Sequence, residues 1–376
     1  MNKQRIGLVL TGGGARAAYQ VGVLSAIRTI HNRPENPFPI LTGTSAGGIN
    51  AVVLAVFADN FIAAVRKLTW IWRNFRVHHV YRADTRALIT TGIRWATALT
   101  LGWVIKKTPR SLLDNSPLRE LLTRVLNFAA IQHHIDAGHI DAVSVSVSGY
   151  TSGENLAFFQ ATEATQAWRR VQRVGLRTQI NVEHLLATSA IPFVFPAVKI
   201  HREYFGDGSM RQLAPISPAI HLGADRIMVI GSGQPIDEQR RQSHEHPSPA
   251  QIAGHALSSI FLDGLTVDLE RLQRINRTLN AFTPEQRQAA NLPLRPIDTL
   301  VIAPSQNLGT IAGCYRHELP TGLRTVMQGL GSGRSEDSTL LSYLLFERGY
   351  TRALIELGYQ DAMARRDEIA QFLSSG

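Results

Sequence analysis

The sequence is poor in cysteine and in charge: one residue of 376 is a cysteine, Cys314, and 18% are Asp, Glu, Lys or Arg. A single cysteine excludes an internal disulfide and fits a reducing compartment. Low charge beside 44% apolar residues excludes a disordered chain and leaves enough apolar material for a large core. No segment repeats at a fixed period, so a solenoid is excluded. No His/Cys cluster has the spacing of metal ligands, and neither a metal nor a cofactor is expected. An uninterrupted membrane span is also missing. Residues 87–105 approach the required length, but Arg94 lies within them and threonines and glycines dilute the rest, so a peripheral or partly inserted element is the better reading. The start offers only Ile6 to Leu10 before a glycine cluster, too short for a signal peptide and better read as a first buried strand. A cytoplasmic, peripherally membrane-associated protein is expected.

Acidic residues are the scarcer sign, 29 against 39 basic, for a net charge of +10. Most of the excess sits in residues 61–110, where ten basic residues face Asp84 alone. The same stretch holds Trp70, Trp72, Trp95 and Trp103. Tryptophan among cations is the pairing found at anionic headgroup layers, and 61–110 is read as a membrane-contact or lid segment. The competing reading is an ordinary basic surface whose tryptophans pack inward. A nucleic-acid surface would use similar residues, but no nucleic-acid module surrounds them, and no nucleic-acid partner is expected.

Periodicity predicts strands at 6–11, 40–43, 142–148, 154–160, 226–230 and 298–303. Helices are expected at 15–31, 46–58, 116–126, 181–189, 215–222, 250–280, 335–348 and 350–373. Strands alternating with helices mean an α/β fold, a mostly parallel sheet sandwiched by helices, with a mainly helical C-terminal extension. The organisation expected is a catalytic unit over 1–231, a loop or hinge at 232–249 and the extension over 250–376 packing on the catalytic unit. Oligomeric state is not legible.

Three short motifs carry chemistry. Gly43-Thr44-Ser45-Ala46-Gly47 is a G-x-S-x-G pentapeptide between a strand and a helix, where a tight turn can hold a serine hydroxyl exposed. Gly43 and Gly47 let that turn pass close to its neighbours, and the following helix aims its positive end at Ser45. Earlier, Gly12-Gly13-Gly14-Ala15-Arg16 follows the first strand. It formally fits a dinucleotide turn, but the acidic residue such a site needs falls in a proline-broken loop at Glu35. As an oxyanion hole, its amides would face a developing negative charge at the same sheet edge as Ser45. Arg16 would anchor this loop, form a structural salt bridge or attract an anionic headgroup. The base stays open between a histidine, of which there are 13, and Asp207 in Gly206-Asp207-Gly208-Ser209. Asp207 can accept the serine proton directly if it is desolvated enough to raise its pKa.

In order and spacing these motifs resemble the patatin-like phospholipase family over roughly residues 6–232. Gly12 to Arg16 is similar to its glycine-rich loop, Gly43 to Gly47 to its nucleophile elbow, and Asp207-Gly208 to its Asp-Gly motif. Asp114 to Leu118 and Ser189 to Pro196 are similar to family segments without direct chemistry. The resemblance implies a Ser45–Asp207 dyad without histidine, an oxyanion hole from Gly12, Gly13, Gly14 and Ala15, and hydrolysis of phospholipid or lysophospholipid acyl esters; the anionic membrane surface is expected from the basic, tryptophan-bearing segment. Two positions depart from the pattern. Ala17 replaces a glycine one turn beyond the loop, and Ser209 replaces a small residue where its hydroxyl would lower the basicity of Asp207. An acyltransferase with the same nucleophile and a non-catalytic lipid-binding protein are the alternatives.

Overall fold

The central strands are buried along their whole length, and such strands are stable only between two helical layers. The computed structural model describes residues 4–82, 111–233, 246, 248–291, 294–329 and 338–374, with the side chains at 262 and 263 left out. The segment 87–105 and most of the hinge at 232–249 therefore lie outside the described residues.

Ten strands among the described residues form one sheet: β1 (Ile6–Leu10), β2 (Ile40–Thr44), β3 (Ala142–Gly149), β4 (Asn155–Ala161), β5 (Trp168–Arg170), β6 (Arg173–Arg177), β7 (Val198–Ile200), β8 (Glu203–Asp207), β9 (Arg226–Ile230) and β10 (Asp298–Ile302). Their order is β10-β9-β1-β2-β3-β4-β6-β5, with the β7–β8 hairpin joined through β8 to β3. From β10 to β3 every pairing is parallel. The helices that matter for the site are α1 (Ala18–His31), α2 (Ala46–Val56), α3 (Phe61–Arg73), α4 (Ser116–Val125), α5 (Val182–Thr188), α6 (Pro249–Asn280), α7 (Thr339–Leu344) and α8 (Arg348–Ala364). This is the α/β architecture expected from the alternation of elements.

The differences from expectation are local. A 3-10 turn over Gly14–Ala17 precedes α1 where one helix from 15 was expected. The C-terminal helical stretch breaks at Arg365, giving Arg348–Ala364 and Arg366–Ser374 in place of one helix. The short strands β5, β6 and β7 were not anticipated, because three- to five-residue edge strands with charged positions carry little periodic signal.

Residues after 249 are built into the same body. β10 pairs with β9 in register, Leu300 opposite Met228. α8 lies against α1 at very short range, for a Cβ on Gly22 would fall 2.0 Å from the Ile355 carbonyl oxygen and one on Gly358 2.2 Å from the Tyr19 carbonyl oxygen. Trp72 on α3 is buried and donates from Nε1 to Asn50 Oδ1 at 2.8 Å, whereas Trp70 is 68% exposed. The two described tryptophans of the basic segment thus divide, one inward and one outward. Arg82 and Asp114 are joined by a backbone hydrogen bond of 2.8 Å.

The contact between α1 and α8 predicts an inversion of helix propensity. Gly22→Ala is expected to destabilise the protein by about 1–3 kcal/mol in chemical denaturation, although alanine is the better helix former. A neutral or stabilising effect would show that the two helices do not approach this closely.

Candidate active site

The site forms where two strands meet end to end on one edge of β3. β2 pairs parallel with β3 as far as Thr44 opposite Ser146. β8 pairs antiparallel with the next part of β3, starting with Asp207 opposite Val147. The other edge of β3 is occupied by β4 along its whole length. β2 and β8 therefore point at each other across one row of the sheet, and Ser45, which follows Thr44, meets Asp207. A side chain on Gly208 would close this gap, since its Cβ would fall 2.2 Å from the Ser146 carbonyl oxygen.

Ser45 has φ 54° and ψ −131°, a backbone conformation that L-residues avoid and that marks a sharp strand-to-helix elbow. Gly43 and Gly47 make the elbow possible. A Cβ on Gly43 would fall 2.4 Å from the Gly47 carbonyl oxygen, and one on Gly47 2.4 Å from the carbonyl oxygens of Leu10 and Thr11. The Ser45 amide donates to Thr188 Oγ1 at 2.8 Å, and the Ser45 carbonyl starts α2 by accepting from the Gly48 amide at 2.9 Å.

Asp207 is 1% exposed, as is Ser45. Its Oδ1 accepts from the Ser209 amide at 2.9 Å. Its Oδ2 is buried with no hydrogen-bond partner, a free acceptor at the meeting point of the strands. Burial pushes the Asp207 carboxyl up to about 6, against the opposing pull of the Ser45 hydroxyl and of the Ser209 amide and hydroxyl. Ser209 thus acts in the direction the sequence suggested, but burial outweighs it. Among the described residues no histidine contacts either group. His134 faces the Val56 carbonyl oxygen, His184 caps α5 at Asn181, and His221 stacks on Trp168.

The glycine loop lies at the head of β1, next to β2. Gly14 has φ 54°, which favours glycine, and a Cβ there would fall 2.3 Å from the Tyr343 carbonyl oxygen. The amides of Gly14 and Ala15 open the 3-10 turn and have no intrahelical partner. Gly12 packs under Ser209 and the Phe261 ring, and its carbonyl accepts from the buried Ser232 hydroxyl. Arg16 is buried, donates from Nε to Ser342 Oγ at 2.7 Å and lies 4.0 Å from the centroid of Tyr343. It ties the loop to α7 and, in this position, is turned away from solvent and from any headgroup.

An apolar pocket, partly open, runs from Ser45 and Gly14 between α2, α3 and α4. Apart from hydroxyls at its head its walls are apolar, including Ile49, Leu68, Trp72, Leu122 and Phe195. No cluster of metal-ligating groups is found among the described residues. Three contributors were not read from the sequence: Thr188, Ser232 and Gln212, whose amide bonds Thr44 Oγ1 at 2.7 Å. Thr188 had one available signal, as the polar end of the apolar run Leu185-Leu186-Ala187.

Residues 8–220, more than half of the sequence, match the profile of the patatin-like phospholipase family. The chain belongs to that family. Membership implies a lipid hydrolase. The chain is also similar to a cGAMP-activated phospholipase from Pseudomonas aeruginosa (strain BWHPSA011 / Pa011), at 29% identity over 210 residues. That match covers 55% of this patatin-like chain and 53% of the relative, so the chain spans about half of the relative's length. Among solved structures, VipD from Legionella pneumophila is similar at 12% identity with a TM-score of 0.36, covering 97% of this chain and 67% of that one. No helix among the described residues is long and apolar enough to cross a membrane.

The raised carboxyl makes a prediction of definite sign. Its pKa rises from 3.8 to about 6 on folding, so the native state prefers the protonated acid and loses stability as pH climbs through that interval. Asp207→Asn is expected to stabilise the fold by up to about 3 kcal/mol near pH ~8 and by little near pH ~3. Urea unfolding at the two pH values measures this, and an equal effect at both would contradict it.

Proposed function

We propose that the protein is a serine esterase that hydrolyses acyl esters of phospholipids or lysophospholipids through Ser45 and Asp207. The single observation that carries this reading is the end-to-end meeting of β2 and β8, which brings a strained serine against a buried carboxylate with a free oxygen. Asp207 takes the hydroxyl proton as Ser45 Oγ attacks the ester carbonyl. A pKa near 6 suits a base that must be ionised at neutral pH yet hold a proton briefly. The tetrahedral oxyanion is held by amides of the glycine loop, from Gly13, Gly14 and Ala15, with Gly12 shaping the turn. The Ser45 amide is already engaged by Thr188, so the donors must come from elsewhere. Such donors are worth about 3 kcal/mol each in the transition state. Asp207 returns the proton to the departing alcohol, then takes one from the water that cleaves the acyl-serine. The apolar cavity beside Ser45 receives the acyl chain.

The membrane partner is read from α3. One face lines the cavity through Leu68 and Trp72, while Arg66, Lys67, Trp70 and Arg73 are exposed on the opposite face without an acidic residue among them. One helix, about 10–12 Å across, separates an interfacial tryptophan and its cations from the acyl cavity. Each cation near an anionic surface contributes about 1 kcal/mol of attraction.

Two experiments test these readings. Ser45→Ala is expected to abolish release of fatty acid from phospholipid and of p-nitrophenol from a soluble ester; retained turnover would remove Ser45 as nucleophile. The triple variant Arg66→Glu, Trp70→Ala, Arg73→Glu is expected to cut sedimentation with phosphatidylserine vesicles by about tenfold or more while sparing the soluble ester. Unchanged sedimentation would overturn the docking assignment.

A further inference from the structure

The Ser45 amide is buried at the elbow and cannot continue the ladder of β2, because β8 takes over the edge of β3 one residue later. At that junction the backbone ladder changes partner, and polar backbone groups left in a dry interior are costly. Thr188, the last residue of α5, sits in the gap with no solvent exposure. Its Oγ1 accepts from the Ser45 amide at 2.8 Å and donates to the Ser146 carbonyl oxygen at 2.5 Å. One hydroxyl thus uses its proton and a lone pair to close both sides of the junction.

The consequence falls on the nucleophile. Ser45 is held at φ 54°, a conformation that persists only when its surroundings fix it. Gly43, Gly47 and Gly208 make room for the elbow, but they supply no force that retains it. The hydrogen bond to Thr188 is the polar side-chain contact on the Ser45 backbone, and it anchors that backbone to Ser146, the β3 residue opposite Thr44 and next to the partner of Asp207. We infer that Thr188 is a positioning residue for catalysis, setting where the Ser45 hydroxyl stands relative to Asp207 by bridging the Ser45 amide to the β3 row that both strands share. This inference rests on the reading of Ser45 as the nucleophile. It gives the segment before Ala190-Ile191-Pro192 a role: α5 must end on a residue with a β-hydroxyl, and Ser is the one other side chain of that kind and smaller size.

The test compares Thr188→Val, Thr188→Ser and Ser45→Ala on a soluble p-nitrophenyl ester, with kcat expressed per site titrated by a fluorophosphonate for the Thr188 variants and per protein chain for Ser45→Ala, which lacks the titrated hydroxyl. Valine keeps the shape and removes both hydrogen bonds. Thr188→Val is expected to lower kcat by about 10-fold to about 100-fold with KM within about twofold, because the acyl cavity is intact and the nucleophile is displaced. Thr188→Ser is expected to restore kcat to within about threefold of the parent, a rescue that a purely packing role would not give, since serine leaves a methyl-sized void. Should the valine variant not fold, Thr188→Ala carries the same comparison, as it also removes both hydrogen bonds. Parental kcat in the valine or alanine variant, with Ser45→Ala inactive, overturns the role of Thr188 alone. Full turnover in Ser45→Ala overturns both this inference and the hydrolase reading.

Discussion

One edge of β3 is shared by two strands running in opposite directions, and the rest of the site follows from that sharing. β2 stops at Ser146 and β8 arrives at Val147, so the residue after one strand and the last residue of the other are driven together. Neither strand can extend without displacing the other. The chain must therefore turn sharply at both ends, upward into α2 after Ser45 and into a 3-10 turn after Asp207. The Asp207 carboxyl is buried at this point, and burial is what raises its proton affinity.

The same junction explains the economy of the polar groups around it. Thr188 completes the ladder on the Ser45 side, and Gln212 bonds Thr44 Oγ1 at 2.7 Å and Ser146 Oγ at 3.2 Å. Asn155 donates to the Gly208 carbonyl oxygen at 2.9 Å from β4. On the far side, the glycine loop is clamped by the C-terminal helices through Arg16, Tyr343 and Phe261. The residues beyond 249 thus bear on the chemistry without containing any of the proposed reacting groups. The raised pKa of Asp207 is a stability cost to the fold at neutral pH, a cost that the proposed role as a base would explain.

Much of this was legible in the sequence, and for identifiable reasons. β1, β2 and β9 are short, largely apolar runs and β3 alternates valine with serine, and both patterns announce strands. The glycine spacing around Ser45 announces an elbow because few other turns need small residues on both sides. The pairing of β8 with β3 was not legible. Antiparallel placement of a strand some sixty residues downstream is a tertiary choice that local periodicity does not encode, and with it went Thr188 and Gln212, which matter only once the strands meet; Ser232 likewise gains its role only where it meets the glycine loop. Tryptophan content marked the basic segment but could not separate Trp72, which finds Asn50 in the core, from Trp70, which faces solvent. Side-chain direction there depends on the helical phase of α3, set by its packing on α1 and α2.

The central claim is that Ser45 is made a nucleophile by Asp207 across the strand junction. Reaction with a fluorophosphonate bearing a long alkyl chain, followed by peptide mass mapping, tests it most directly. A single adduct on Ser45 in the parent, formed far more slowly in Asp207→Asn, is the predicted result. An adduct on another residue, or equally fast labelling of Ser45 in the asparagine variant, would contradict the account.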